Sequence, residues 1–148
     1  MKVRSNVDLQ EPLIALIRAF GLHQPDRTPC GQPVAVAEAH ALMELSSVQS
    51  LSQKKLAERL GLEKSTVSRL LRILEDRGWL ERTRNDSDRR MIQLALTKRG
   101  LQIAQELAAA RRAKFDRVVE AIPEAKRTGV IESIQVLVEA IRESQQCY

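Results

Sequence analysis

A chain of 148 residues that is 43% hydrophobic and 29% charged fits one domain, or one domain with an oligomerisation element, and is too apolar to be disordered. No apolar run approaches a bilayer span and the start, MKVRSNVDLQ, lacks a signal-peptide core, so a cytoplasmic location with no membrane partner is expected. The net charge of +5 is concentrated: residues 52–90 hold eleven Lys/Arg against seven Asp/Glu, a segment suited to an anionic partner. Cys30 and Cys147 lie far apart in a chain without a secretion signal and predict no structural disulfide.

In chain order, Asp8 is placed to cap a first helix running to about Phe20, with Pro12 near its first turn and Leu9, Leu13, Leu16, Ile17 and Phe20 at helical spacing. GLHQPDRTPCGQP follows, with three prolines and two glycines in thirteen residues, and reads as a loop. A second helix is expected from about Val36 to Ser47. Ser52 caps a third, which Gly61 closes, and a fourth runs from about Lys64 to Arg77, ended by Gly78.

SQKKLAERLGLEKSTVSRLLR, residues 52–72, has the register of a helix-turn-helix. Ala57 is small enough for two helices to cross, and Gly61 supplies a left-handed turn. Leu56, Leu60, Leu62, Val67 and Leu70 give the two helices one apolar face. Lys64, Ser65, Thr66, Ser68, Arg69 and Arg72 fall mostly on the other, where a recognition helix meets a DNA groove.

After Gly78 the period changes from 3.6 to 2. WLERT and MIQLALT read as strands, the second with Ile92, Leu94 and Leu96 on one face, and the polar RNDSDRR between them reads as a tip. Such a hairpin behind a recognition helix is a wing, with Trp79 a core residue at its base. Thr97 caps a long fifth helix to about Ile122, and Pro123 begins a sixth that reaches about Ser144. Leu101, Ala104, Ala108, Phe115, Val118 and Ile122 in the fifth helix, and Ile131, Ile134, Val138 and Ile141 in the sixth, form seams that want partner helices.

The expected fold is mainly α with a small β-wing: a winged helix-turn-helix of six helices. Residues 34–97 would form the DNA-binding domain. Residues 1–33 and 98–148 would supply the dimerisation helices and their connecting loop, with a second copy covering the outer stripes.

The stretch LAERLGLEKSTVSRLLRILEDRGWLERTRNDSDRRMIQLALTKRG resembles the MarR family of bacterial transcriptional regulators. It carries that family's S/T-x-V-S/T-R recognition helix, Glu-x-x-Gly helix end, D-x-R wing tip and L-T-x-x-G start of the next helix. The resemblance implies a homodimeric regulator of transcription, typically a repressor, bound to a two-fold operator in double-stranded DNA and released when a small-molecule effector binds or a cysteine is oxidised.

The residues expected at DNA follow from both lines of reasoning. Ser65, Thr66, Ser68 and Arg69 sit early in the recognition helix, where short hydroxyl side chains approach base edges and arginine pairs with guanine. Lys64 and Arg72 flank them, Arg72 meeting phosphate. An ion pair with Glu63 or Glu75 is the alternative for Arg69. Ser52, Gln53 and Lys54 can offer backbone N–H groups and a cation to phosphate, or simply cap their helix. At the wing, Arg84, Asp88, Arg89 and Arg90 form the candidate set. A guanidinium there suits a narrow minor groove, and the family pattern makes Asp88 orient Arg90.

Other chemistry has less support in the residues. No phosphate loop, nucleophile elbow or His/Asp arrangement predicts an enzyme, and no cofactor is expected. Cys30, in the proline-rich loop, is the candidate for redox sensing. His23, Cys30, Glu38 and His40 are the candidate metal ligands. Zinc-sensing relatives in the family also use histidines of the fifth helix, and LAAARRAK, residues 107–114, has none. A winged helix that binds protein rather than DNA is the remaining alternative.

Overall fold

The computed structural model describes residues 7–84, 87–88 and 90–146. In chain order the elements are α1 (Val7–Phe20), α2 (Val36–Ser46), β1 (Leu51–Ser52), α3 (Gln53–Leu60), α4 (Lys64–Asp76), β2 (Leu80–Arg84), β3 (Ile92–Leu96), α5 (Lys98–Ala121) and α6 (Glu124–Gln145). The fold class is the expected one: mainly helical, with a wing. Contacts divide the chain at Arg111 into two compact units.

The first unit is built on leucine. Leu42, Leu45, Leu56, Val67, Leu71, Leu74 and Leu94 have under 2% of their surface exposed, and Leu51, Leu70, Leu80 and Leu96 close the core around them. They come from α2, α3, α4 and all three strands, so one apolar cluster holds the helix-turn-helix to its wing. Emptying any of the fully buried positions to alanine would cost about 2–5 kcal/mol.

The sheet is antiparallel in the order β1-β3-β2. β2 and β3 pair from Leu80 with Leu96 to Arg84 with Ile92, and Leu51 and Ser52 pair with Leu94 and Gln93. β1 is the element that sequence reading lacked. Two residues carry no alternation to detect, and Ser52 was already accounted for as a cap. It fills both roles. It ends β1 with extended backbone, and its side chain accepts from the Lys55 N–H at 3.2 Å.

Gly61 ends α3 as its position required, at φ 63° and ψ 35°. Its N–H donates to the Glu58 carbonyl at 3.3 Å and the Leu62 N–H donates to the Ala57 carbonyl at 3.2 Å, which turns the chain into α4. α4 stops in the same way: the Gly78 and Trp79 N–H groups donate to the Glu75 and Leu74 carbonyls.

Two expectations for α1 need correction. The helix begins at Val7, so Asp8 lies within the first turn instead of preceding it, where a carboxylate still suits the positive end of the helix. Pro12 falls further in than the first turn, where it has no N–H to contribute to the helix ladder. The apolar stripe of α1 faces outward, with Leu9, Ile14, Leu16 and Ile17 all exposed. The loop after it is tied by Thr28, whose buried hydroxyl accepts from the Gln32 N–H and whose own N–H donates to the Gln32 carbonyl.

α5 begins under the base of the wing. The Thr97 hydroxyl accepts from the Gly100 N–H at 3.1 Å and donates to the Gly78 carbonyl at 2.6 Å, and the Thr97 N–H donates to the Trp79 carbonyl. This cap is the one expected at Thr97, and it also fastens the start of α5 to the end of α4. Gly100 permits the close approach, since a Cβ there would lie 2.0 Å from the Trp79 carbonyl oxygen. Trp79 itself is half-buried against the core, as expected.

In the second unit, Pro123 occupies the N-cap of α6, and the Arg127 Nε donates to the Ile122 carbonyl at 3.0 Å across the turn. α6 has 22 residues and none of them is buried. Of the seam expected on α5, Ala104 is buried in the core and Ala108 and Ile122 are half-buried, while Leu101, Phe115 and Val118 are exposed; on α6, Ile131, Ile134, Val138 and Ile141 are all exposed. No described helix is long and apolar enough to cross a membrane.

The two helical glycines should respond oppositely to a methyl group. Gly100→Ala must displace backbone and should lower unfolding stability by about 3 kcal/mol. Gly129→Ala, on α6, meets nothing within 4 Å and should be neutral or stabilising by up to about 1 kcal/mol. Urea unfolding of the two variants against the parent chain measures both.

Candidate nucleic-acid interface

The rotation of α4 about its axis is set by what it buries. Val67, Leu70, Leu71 and Leu74 face the core, which turns Lys64, Ser65, Arg69 and Arg72 fully outward and leaves Thr66 and Ser68 at the margin, half-covered. The outer face therefore holds what the helical spacing placed there, with Ser68 the most constrained of the set. Its Oγ accepts from the Gln53 Nε2 at 2.7 Å, so two of the candidate residues engage each other.

At the start of α3, Ser52 is committed to its cap, Gln53 to Ser68, and Lys54 is exposed. Across the wing, Arg84 ends β2 with its side chain exposed. The Asp88 carboxylate accepts from the Arg90 backbone N–H at 3.0 Å and the Asp88 carbonyl accepts from the Met91 N–H at 3.0 Å. Asp88 thus holds the backbone that carries Arg90. Arg89 lies outside the described residues.

These elements share one groove. Gln53, Lys54, Gly61, Lys64, Arg90 and Ile92 are among its walls, and it encloses about 790 Å³ between α3, the start of α4 and the wing. It brings together Gln53, Lys54, Lys64 and Arg90, which the sequence had placed on three different elements.

The ion pairs sort the cations of the basic segment. Lys55 is paired to Glu58, Arg59 to Glu44, Arg77 to Glu38 and Arg82 to Glu75. Among the described residues, Lys54, Lys64, Arg69, Arg72, Arg84 and Arg90 have no ion pair. These are six of the seven cations that the sequence proposed for phosphate and base contact, the seventh being Arg89, and their charge is free to meet an external anion. Glu75, one alternative partner for Arg69, is taken by Arg82. Sequence reading missed that role for Arg82, because Glu75 and Arg82 are seven residues apart on different elements.

The metal-ligand set does not assemble. Among the described residues no three His, Cys, Asp or Glu side chains are grouped to hold a metal. His23 and His40 are exposed, Cys30 is a half-buried free thiol, and Glu38 is buried with its charge turned to Arg77. Glu38 Oε2 lies 2.9 Å from Arg77 Nη1 as an ion pair without hydrogen-bond alignment. The Arg77 guanidinium also lies over the Trp79 ring, 4.8 Å from its centroid. The end of α4 is thereby anchored to α2 by a charge pair.

Comparison with known proteins bears on the fold. The profile of the MarR family matches residues 35–92. The chain is similar to the HTH-type transcriptional regulator SarZ of Staphylococcus aureus, 39% identical over 67 residues. That match spans 45% of each chain, less than half the length of the curated relative. Two solved structures superpose over almost the whole length. One is Streptococcus pneumoniae FabT in complex with DNA, at TM-score 0.75 and 20% identity, covering 94% of this chain and 99% of that one. The other is the PcaV transcriptional regulator of Streptomyces coelicolor in complex with its natural ligand, at TM-score 0.71 and 20% identity, covering 95% and 99%. At such identity the two establish a common fold.

Breaking the anchor at Glu38 should be costly in one direction only. Arg77→Ala strands a carboxylate that is 8% exposed and should lower stability by about 3 kcal/mol. Glu38→Gln leaves behind an arginine that reaches water and should cost less than half as much. Thermal unfolding of the two variants side by side measures the asymmetry.

Proposed function

We propose that the chain is a MarR-family regulator of transcription, homodimeric and bound to duplex DNA at a two-fold operator, a reading supported by the family profile over residues 35–92 and the similarity to SarZ. The observation that carries this reading is the sorting of cations. Among the described residues of the basic segment 52–90, the cations without an ion pair are those on the outer face of α4, at the start of α3 and on the wing, whereas Lys55, Arg59, Arg77 and Arg82 are paired with acids of the chain. In this reading α4 enters the major groove. Arg69 contacts a base edge, Ser65 and Thr66 approach closely, and Arg72 rests on phosphate. Lys54, Lys64 and the N-terminus of α3 hold the backbone, and Arg84, Arg89 and Arg90 serve the minor groove.

A second copy supplies the two-fold axis. α6 buries nothing, and the stripes on α1 and on the second unit expose Leu16, Phe115, Ile131, Ile134, Val138 and Ile141. That much apolar surface is more than a monomer ordinarily leaves to water. In this reading residues 1–33 and 98–148 carry the dimerising helices and 34–97 the DNA-binding domain, with Ala104 and Leu107 at the start of α5 packed into the core of that domain.

Regulation fits a small-molecule effector, with repression the usual outcome when such a dimer covers an operator. A cavity of about 300 Å³ lies between the loop before α2 and the start of α5, with Val34, Arg77, Trp79, Ile103 and Leu107 in its walls. Its volume suits a small, partly apolar ligand. Arg77, which directly follows α4, would transmit occupancy to the recognition helix.

Selection of bound sequences from a random duplex pool tests the central reading. The expected result is a two-fold site whose half-sites lie about one helical turn apart. Recovery of no preferred sequence, or sedimentation as a monomer, overturns it. On the recovered duplex, Arg90→Ala should weaken binding at least about tenfold and leave the dimer intact. Arg69→Ala should cost about 1–3 kcal/mol and relax the preference at one base position in each half-site.

A further inference from the structure

Arg82, in the middle of β2, sends its side chain away from the wing and toward the helix-turn-helix. Its Nε donates to Glu75 Oε1 in the last turn of α4, and its Nη1 donates at 3.5 Å to Oε1 of Gln53, the first residue of α3. Gln53 Nε2 donates in turn to Ser68 Oγ, on the outer half of α4. Four polar side chains thus connect the wing strand and the start of α3 to two places on the recognition helix, Ser68 in its second turn and Glu75 in its last. Arg82 and Glu75 are each about one-third exposed, and Gln53 and Ser68 are half-covered.

Building on the DNA-binding reading, we propose that Arg82 is a positioning residue for that interface: it sets the recognition helix against the wing, and so determines discrimination between sequences instead of attraction to DNA. Two physical points carry this. Glu75 neutralises the Arg82 guanidinium, which separates it from the unpaired cations of the segment. The planar fork of arginine can also place one N–H on a carboxylate while another meets an amide oxygen, a geometry lysine does not have.

The amide of Gln53 then has no choice of orientation. With Arg82 on its acceptor end, its donor end faces Ser68. The Ser68 oxygen accepts there, so the Ser68 O–H is left to donate to an acceptor on a base edge or phosphate. Contact in the major and minor grooves at once requires a fixed separation of helix and wing. This line of side chains spans that separation.

The experiment uses the full-length chain and two fluorescent duplexes: the sequence recovered by selection, and a shuffled duplex of the same composition. Binding is measured by anisotropy over a series of salt concentrations, with thermal unfolding and sedimentation as checks. Arg82→Ala and Arg82→Lys should both lose about tenfold on the recovered duplex, the scale of one charged hydrogen bond, with the shuffled duplex and the salt slope unchanged. Glu75→Gln keeps an acceptor for the Arg82 Nε and should hold most of the discrimination.

An equal loss on both duplexes with a salt slope lower by about one would make Arg82 a phosphate contact and overturn the proposal. Tighter binding of Glu75→Gln to both duplexes would do the same, and this arm stands even where an Arg82 variant does not fold. Retention of full discrimination by Arg82→Ala also overturns it. A parent chain that does not distinguish the two duplexes would instead overturn the DNA-binding reading beneath it.

Discussion

Four apolar side chains on one stripe of α4 govern most of what surrounds them. Val67, Leu70, Leu71 and Leu74 each lie in the core, and returning any of them to water would cost a good part of the stability of a domain this size. Helix rotation is therefore not a soft coordinate here. A turn of even a third of the circumference would bring Arg69 or Arg72 into the leucine core and expose two leucines. The outward display of Lys64, Ser65, Arg69 and Arg72 follows from that burial, without any interaction of their own.

The same core determines what happens to charge. The residues around α4 include many cations, and the fold treats them in two ways. Where a cation lies beside an element packed on the core, an acid from another part of the chain meets it: Glu38 reaches Arg77 from α2, Glu44 reaches Arg59 from the end of α2, and Glu75 meets Arg82 across the α4–β2 turn. Lys54, Lys64, Arg69, Arg72, Arg84 and Arg90 face away from the core and stay unpaired among the described residues, even though Glu58 and Glu63 share the groove with three of them. The exposed pairs contribute little to stability. Their consequence is electrostatic: they leave the positive potential on one face, where it attracts an anionic partner over a distance of about a Debye length.

Much of this could be read from the chain alone because it is local. The caps at Ser52, Gly61, Gly78 and Thr97 lie within a turn of the helices they bound, and period 3.6 giving way to period 2 after Gly78 marked the wing. The open seams on α1, α5 and α6 were equally legible, since an apolar stripe shows in spacing whether or not anything covers it. Asp8 and Pro12 were misplaced by a residue or more because a helix start is a weak signal when several residues could serve. β1 escaped because two residues have no period.

What stayed hidden was pairing between distant residues. The sequence grouped Glu38 with His23, Cys30 and His40 by the chemistry their side chains share, yet the fold gives Glu38 to Arg77, 39 positions further on. It assigned Gln53 to phosphate or to capping and Ser68 to base edges, on different helices, and the structure links them to each other. Residue type and spacing by themselves determined the elements, the face each helix presents and the excess of positive charge, because these depend on neighbours within a turn or two. Only the tertiary structure decided which of those charges are neutralised and which residues hold others in place. Coulomb attraction and hydrogen bonding act over a few ångströms of space, however far apart the partners lie in the chain.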